Sequence, residues 1–559
     1  MVCLCCTYLM HKKFHIAAYL LLCLSLVWPA IKYHQPEQAS VINSDGLGYY
    51  SYLPALFIYD DASWSFLKDY EKKYRPTGDF IREAPNGSKV NQYFVGEAVL
   101  ISPFFAVAHI TAIVADGFSA PYQRAVMWST LFYVCVALYL LTLLVETYIT
   151  HRYAALLVSA AILHGTNLYT YAVTEPSFSH AYSFFTITLF LFAIQRWAKI
   201  KSKRYLFAAA VALGFIAIIR PSNLLVVLMV PFFLPQLIQQ LKETAFSVLL
   251  MAVSCCAAVV LIQPLCWHWQ TGLWIVDAYT TATFNFSSPE LINVLVSFKK
   301  GWWVYTPLAA LSLGGFYALF KVYGWRSMWL LVYVFLNLYV ISSWSVWHYG
   351  SCFGQRAFVE SYAVLAVLLG VWFNFLKQFS GKVVLTTMVL LCVGLNQMQA
   401  RQYSIGIIHP QKMDRELYFA TFLKKGAKYR NLVQEELKHC AELKMCKPLF
   451  SDTNCKTLLI KEVEINTTPA CIKADGNFTC SNKNTDAYLC VQLLHDAKVL
   501  RTERVYFFKF SRKGVESSQM RHQFMLNNQV ISTNAIRCFV VDVEQEISLD
   551  ALHVELCSN

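Results

Sequence analysis

Residues 12–50 read KKFHIAAYLLLCLSLVWPAIKYHQPEQASVINSDGLGYY. An apolar run, residues 15–32, follows Lys12 and Lys13 and gives way to a polar segment holding Asn43-Ser44-Asp45-Gly46-Leu47-Gly48-Tyr49-Tyr50. About 18 apolar residues suffice to cross a bilayer. No small-residue cleavage site precedes the polar segment and further apolar runs follow, so the run reads as a span, not a cleaved signal. Lysines on its N-terminal flank set that end inside. Asp45 then emerges on the external face, at the head of a long loop and at a water–lipid boundary. An enzyme with a lipid-borne donor and an acceptor from the aqueous side needs a base there.

Working outward, apolar runs recur near 95–116, 125–148, 153–172, 178–197, 205–220, 222–240, 244–266, 303–322, 327–346, 357–377 and 382–400. Of the 559 residues, 57% are apolar and only 14% charged, against about 25% charged in soluble domains. The net charge of +13 is loop-borne and sets orientation, which excludes a nucleic-acid footprint. If every run crossed, Lys199, Lys201, Lys203 and Arg204 would lie outside, as would Lys321 with Arg326 and Lys377 with Lys382. Cationic loops belong inside. Removing the crossing at 95–116 repairs all three. That run holds Glu97, Pro103, His109 and Asp116, and a charge at mid-bilayer costs at least about 2.5 kcal/mol. It is expected to be re-entrant or interfacial within a first external loop, 33–124. The expected fold is an all-α polytopic bundle of about eleven spans, residues 1–400, N-terminus inside.

The tail is a different polymer. Residues 401–455 are basic with a helical rhythm and read as a connector. Residues 456–559 shorten to strand-like runs separated by turn residues, expected to form an external β-sandwich. Cys440, Cys446, Cys455, Cys471, Cys480, Cys490, Cys538 and Cys557 all follow the last run. An oxidising compartment and disulfides fit that usage; unpaired thiols in a cytosolic domain are the alternative.

Four external segments carry polar residues that a lipid-embedded bundle does not need. Asp45 lies between Gly46 and the chain leading into it, with Gly48 close by; the glycines let backbone approach a ligand, or Asp45 simply caps an amphipathic helix over Tyr49–Tyr59. Asp60 and Asp61, at that helix's far end, read as a solvated terminus. Thr174-Glu175-Pro176-Ser177-Phe178-Ser179-His180 sets Glu175 to hold a sugar hydroxyl and His180 to bind phosphate or carry a proton, or is a helix start with Pro in its first turn. Lys299 and Lys300 run against the charge rule before a span and suit an anionic head group, or snorkel. The stretch Trp344–Arg356 puts His348 and Gln355 outside and Arg356 at a span start, and Arg220 emerges on the same side. Arginine suits bidentate phosphate recognition; structural salt bridges are the alternative. No metal-ligand spacing and no Gly-rich nucleotide loop stands out, so no cofactor is expected.

These features together resemble the C-type (GT-C) glycosyltransferase superfamily, which includes protein O-mannosyltransferases and the lipid A aminoarabinose transferase; the blend is similar to Bacteroidetes-like bacterial members. The matching residues are Asp45, Asn91-Gln92-Tyr93-Phe94-Val95-Gly96, Glu175, Trp303-Val304-Tyr305-Thr306-Pro307 and Gly354-Gln355-Arg356, and the resemblance covers about residues 12–400. It implies an inverting transfer from a polyprenyl-phosphate sugar to a glycan, lipid or protein acceptor. It implies Asp45 as base with Glu175 as second acidic residue. Arg356, Lys299, Lys300 and Arg220 would lie at the donor phosphate, and Gln92, Tyr93, His180, His348 and Gln355 against substrate. A bacterial inner-membrane location with the tail periplasmic follows. A transporter or lipid-linked-sugar flippase, or a non-catalytic scaffold for the tail, are the rival classes. Against transport, the two halves show no pseudo-repeat.

Overall fold

A computed structural model describes residues 2–34, 41–74, 80–279, 282–426 and 429, with side chains from residue 16 on apart from Arg152; beyond residue 430 it describes the backbone of eight strands. Contacts divide the chain into Met1–Lys425 and Gly426–Asn559. Residues 401–425 thus fall in the first unit, where the helix Arg415–Thr421 adds Tyr418 to a cluster with Tyr305, Phe353 and Ile408.

The first unit is a multispanning helical body. Among the described residues six helices are long and apolar enough to cross a membrane, or seven if a bent pair counts as one. The six are Ile16–Tyr33, Ala120–Val145, Phe246–Thr271, Pro307–Ser342, Arg356–Phe375 and Phe379–Ser404. Most of the other apolar runs fold as shorter or broken helices. Run 153–172 breaks at Thr166 and Asn167, between Arg152–Gly165 and Leu168–Val173. Runs 178–197 and 205–220 become Ser179–Ile200 and Lys203–Ile219. Run 222–240 starts at Pro221 as a 3-10 helix and bends by 87° before Leu237–Glu243. In Arg356–Phe375, 78% of the apolar window is buried, against 11% in Phe246–Thr271. The former is therefore the bundle's axis, and the latter presents its apolar surface outward, as a lipid-facing helix does.

The first loop is built, not slack. Its helix begins at Asp45, four residues earlier than the sequence suggested, and is interrupted as Asp45–Tyr50, Tyr52–Pro54 and a π-helical turn Ala55–Tyr59. Asp60, at the helix's far end, is exposed, and Asp61 beside it caps the next turn: its carboxylate accepts from Ser63 and Ser65 and from the backbone N–H of Phe66. A hairpin of β1 (Ile81–Glu83) and β2 (Lys89–Asn91) leads to the helix Gly96–Thr111. Sixteen residues reach about 24 Å at 1.5 Å each, short of a hydrocarbon core of about 30 Å. The segments that flank that helix both return to one short element: Asn91 Nδ2 donates to Gly48 O at 2.7 Å, and Tyr50 Oη to Gly117 O at 2.5 Å.

In the second unit, β3 (Met445–Asp452), β5 (Cys471–Cys480), β8 (Ser517–Met525) and β10 (Ile547–Ser558) form one antiparallel sheet in the order β3-β10-β5-β8. β4 (Ile460–Glu464), β6 (Tyr488–His495), β7 (Lys498–Tyr506) and β9 (Ala535–Val541) form another, in the order β4-β9-β6-β7. Cys557 stands in register with Cys446 on one neighbour and Cys471 on the other. The disulfide expectation concerns side chains that lie outside the described residues.

Candidate functional site

Four positions singled out in four separate segments converge. Ser44 takes a left-handed φ of 49°, and this kink starts the helix on which Asp45 is the first residue. Asp45 Oδ2 accepts from Arg356 Nη2 at 2.5 Å, with side chains 25% and 10% exposed. Asp45 is therefore not the freely exposed loop carboxylate the sequence suggested. Arg356 also lies over the Phe178 ring, 5.1 Å from its centroid, while its Nε is buried without a hydrogen-bond partner.

The glycines beside Asp45 serve packing, not a ligand. A Cβ on Gly46 would stand 2.1 Å from Ser177 Oγ, and one on Gly48 would stand 2.3 Å from the Tyr93 ring. Their absence lets the Thr174–Phe178 turn and Tyr93 close directly onto the Asp45 helix.

A second charged group stands close by. Arg220 Nη1 lies 3.1 Å from Glu360 Oε1, and His180 Nδ1 lies 3.0 Å from the same oxygen. Glu360 accepts from both when the imidazole proton sits on Nδ1, and so holds the guanidinium in place. Glu360 and His180 are buried, but Arg220 keeps 21% of its side chain exposed. His180 is thus not at the mouth of the bundle; it sits beneath Arg220 as a positioning group. The Tyr49 hydroxyl, pushed up to about 12 by burial, also feels Arg220 and Asp45, which ties the two ion pairs into one electrostatic neighbourhood.

Glu175 is the third acid. It is part-buried, its Oε1 accepting from the Tyr403 hydroxyl and its covered Oε2 without a hydrogen-bond partner. Burial pushes its carboxyl up to about 6, against the Tyr403 hydrogen bond and the charges of Arg356 and Lys300. A carboxylate in that range is ionised at neutral pH and still holds a proton well enough to act as a base.

The remaining sequence candidates are placed less directly. Lys300 does not face a head group; it is buried, and its ammonium donates to the backbone oxygens of Cys352 and Pro410. Lys299 lies 6.0 Å over the Trp347 ring. Gln355 Nε2 donates to Trp347 O at 2.9 Å, its Oε1 being buried without a partner. His348 Nδ1 accepts from the Gly350 N–H at 3.2 Å. Gln92 is buried beside Tyr93, whose ring centroid is 4.4 Å from that of Tyr49. Among the described residues no three His, Cys, Asp or Glu side chains gather as metal ligands.

No family model and no curated protein matches the chain. Solved structures do. The chain is similar to the archaeal oligosaccharyltransferase AglB from Archaeoglobus fulgidus, solved with an inhibitory peptide and a dolichol-phosphate, at 13% identity and a TM-score of 0.41 over 78% of this chain and 60% of that one. The apo form of the Archaeoglobus fulgidus oligosaccharyltransferase gives 13% and 0.42 over the same shares. It is also similar to the arabinosyltransferase EmbB from Mycobacterium smegmatis, at 10% identity and 0.39 over 97% of this chain and 64% of that one. The chain spans less than two thirds of the length of each. Likeness of this extent leaves the chemistry to the residues of the site.

Two acids of the site went unread in the sequence. Glu360 sits inside the apolar run 357–377, and a charge within a span is itself a signal of function. Glu97 had weighed only on topology. It is fully buried at the start of Gly96–Thr111, and neither carboxylate oxygen has a hydrogen-bond partner. Burial, with Asp45 nearby, pushes its carboxyl well above the ordinary range. The folded chain therefore holds this proton to higher pH than the unfolded chain does. The stability it contributes is complete below the usual glutamate value of about 4.3 and is lost as pH rises from there. Glu97→Leu removes a buried acid that lacks partners, a feature worth about 1–3 kcal/mol. The variant should melt higher than the parent at pH 7.5, with the gap narrowing toward pH 5 in a thermal-melt series. A lower melting point at pH 7.5 would mean that Glu97 has a partner.

Proposed function

We propose that the chain is a membrane-embedded glycosyltransferase of the C type. It moves a sugar from a polyprenyl-phosphate donor to an acceptor on the external face, with inversion. The observation that carries this reading is the Asp45–Arg356 pair, with Glu175 and the Glu360-held Arg220 in the same electrostatic neighbourhood. A sugar already activated on a lipid phosphate needs three things: a base for the acceptor hydroxyl, fixed cations for the departing phosphate, and shelter from water. Asp45 takes the proton as the acceptor oxygen attacks the anomeric carbon. The bond from that carbon to the phosphate oxygen breaks, and the charge growing on phosphate falls to Arg356 and Arg220. Arg356 spends one nitrogen, Nη2, on Asp45, and a planar guanidinium fork can hold base and phosphate together. Glu175 orients the acceptor, and Gln92, Tyr93, His348, Gln355 and Lys299 belong to the surrounding wall.

The same convergence supports eleven spans. Asp45, Glu175, Arg220 and Arg356 share one side only if an even number of crossings separates each from the next. The apolar runs supply two, two and four, provided that 95–116 does not cross and that Pro307–Ser342 crosses twice, on either side of Gly324–Arg326. The hydrogen bonds of Asn91 and Gly117, on either side of Gly96–Thr111, to the Asp45 helix support that condition. Cysteines introduced at Lys89 and Ala115, both exposed, should react with an impermeant maleimide from the same external side. Labelling from opposite sides would make the segment a crossing and carry Glu175 inside.

The direct test of function is consumption of a lipid-linked sugar by the purified chain in liposomes, with no ion gradient, and loss of one envelope glycan on mass spectrometry when the gene is removed. Consumption that requires a gradient would favour transport instead.

A further inference from the structure

Beside Glu175 lies a cavity of about 240 Å³. Its wall is made by Tyr33, Asn43, Thr174, Glu175, Tyr403 and the turn Gly406–Pro410. Three parts of the chain meet there: the end of the first span, the turn carrying Glu175, and the segment after the last span. Asn43 stands two residues before Asp45, so the cavity adjoins the base.

The wall chooses its occupant by chemistry. It contains one carboxylate and no lysine or arginine. Lys300 is turned onto the backbone oxygens of Cys352 and Pro410, behind that wall, and Arg356 is engaged with Asp45. A phosphate would therefore meet like charge in the cavity and finds its cations at Arg356 and Arg220 instead. Glu175 Oε1 is satisfied by Tyr403, and Oε2 lacks a donor. A buried acceptor of this kind demands a hydroxyl or N–H from a ligand or water. The rings of Tyr33 and Tyr403 offer apolar faces. A group with a rim of hydroxyls around apolar C–H surface satisfies both. The volume is below the roughly 300–1,000 Å³ of pockets for drug-sized ligands, which is room for a single ring and not for a folded peptide segment.

We propose that this cavity is the acceptor subsite and that it seats one neutral sugar ring of a glycan acceptor, with Glu175 taking a ring hydroxyl. The inference rests on the function proposed above. It separates the site into an anion half, Arg356 with Arg220, and a hydroxyl half around Glu175.

The test uses the full chain, purified in detergent, and saturation-transfer NMR with the methyl glycosides of glucose, galactose, mannose and N-acetylglucosamine at millimolar concentration. At least one glycoside should receive saturation on its ring protons. Thr174→Trp, which fills the cavity, should abolish that signal and raise the acceptor KM at least tenfold while the donor KM stays within twofold. Should Thr174→Trp fail to fold, Glu175→Gln, which keeps the size but replaces the carboxylate that accepts the ring hydroxyl by an amide, should weaken the glycoside signal severalfold. Saturation that is equal in parent and filled variant would overturn the assignment. So would saturation by a Ser/Thr-containing peptide or a lipid head group with none by any glycoside. Consumption of the lipid-linked donor, followed separately, reports on the reaction itself: donor turnover without glycoside binding sinks the subsite alone, and glycoside binding without donor turnover sinks the transferase reading alone.

Discussion

Asp45→Asn should transfer sugar about 10²–10⁴-fold more slowly than the parent, the usual loss when a general base is removed, with donor KM changed little. The amide keeps the size and one hydrogen-bond acceptor but cannot take the proton. The ion pair adds a second consequence that an exposed loop residue would not have. Arg356 Nη2 lies 2.5 Å from Asp45 Oδ2 and Arg356 is 10% exposed, so the asparagine leaves a mostly buried guanidinium without its counter-charge. A melting point a few degrees lower is expected alongside the kinetic defect. The two effects separate cleanly: stability recovers when the protein is held at lower temperature, whereas the missing proton acceptor does not. Single-turnover rates at 10 °C distinguish them. An Asp45→Asn enzyme that turns over at near the parental rate in that assay removes Asp45 from the reaction, and Glu175, the other acid of the site, becomes the base to test.

The bundle was legible because a bilayer dictates run length and loop charge, and both are written in single residues. Lys199, Lys201, Lys203 and Arg204 together ask for one run fewer, and the run they single out, 95–116, folds as the helix Gly96–Thr111 with Glu97 buried at its start. The same parity argument leads one to expect Asp45, Glu175, Arg220 and Arg356 on one side. What the sequence did not carry was who meets whom. Asp45 and Arg356 are 311 positions apart, and no local spacing records such a contact. Glu360 was hidden by its apolar neighbours, although it stands one helical turn after Arg356 and holds Arg220. Lys300 showed the opposite error. Position before a span suggested an ammonium facing lipid head groups, but the backbone oxygens of Cys352 and Pro410 draw it inward. On spacing alone Gly46 and Gly48 admit either a ligand or a helix start, and the room beside them is taken by Ser177 and Tyr93. Each miss has the same physical origin. Side-chain direction in an irregular loop depends on long-range packing, whereas span length and charge sidedness are local.

Arg356→Lys should raise the donor KM at least tenfold and leave the acceptor KM near its parental value. An ammonium keeps the charge but loses the planar fork that can bridge Asp45 and a phosphate oxygen at once. Arg356→Gln should be worse in two distinguishable ways. Donor binding loses a charge-assisted contact. Asp45 also loses its counter-ion, which for a carboxylate one quarter exposed is worth about 1–3 kcal/mol of stability after allowance for screening by solvent. The double variant Asp45→Asn, Arg356→Gln separates these losses, because it removes both charges together. If the pair is coupled as the geometry indicates, the double variant melts higher than Arg356→Gln alone, and its coupling energy from the cycle is non-zero. Its transfer rate should be no lower than that of Asp45→Asn by more than the loss of donor binding explains. Additive melting shifts would mean that the two side chains do not interact in the membrane-embedded protein. A donor KM untouched by Arg356→Lys would move the phosphate away from Arg356, leaving Arg220, held by Glu360, as the cation that receives it.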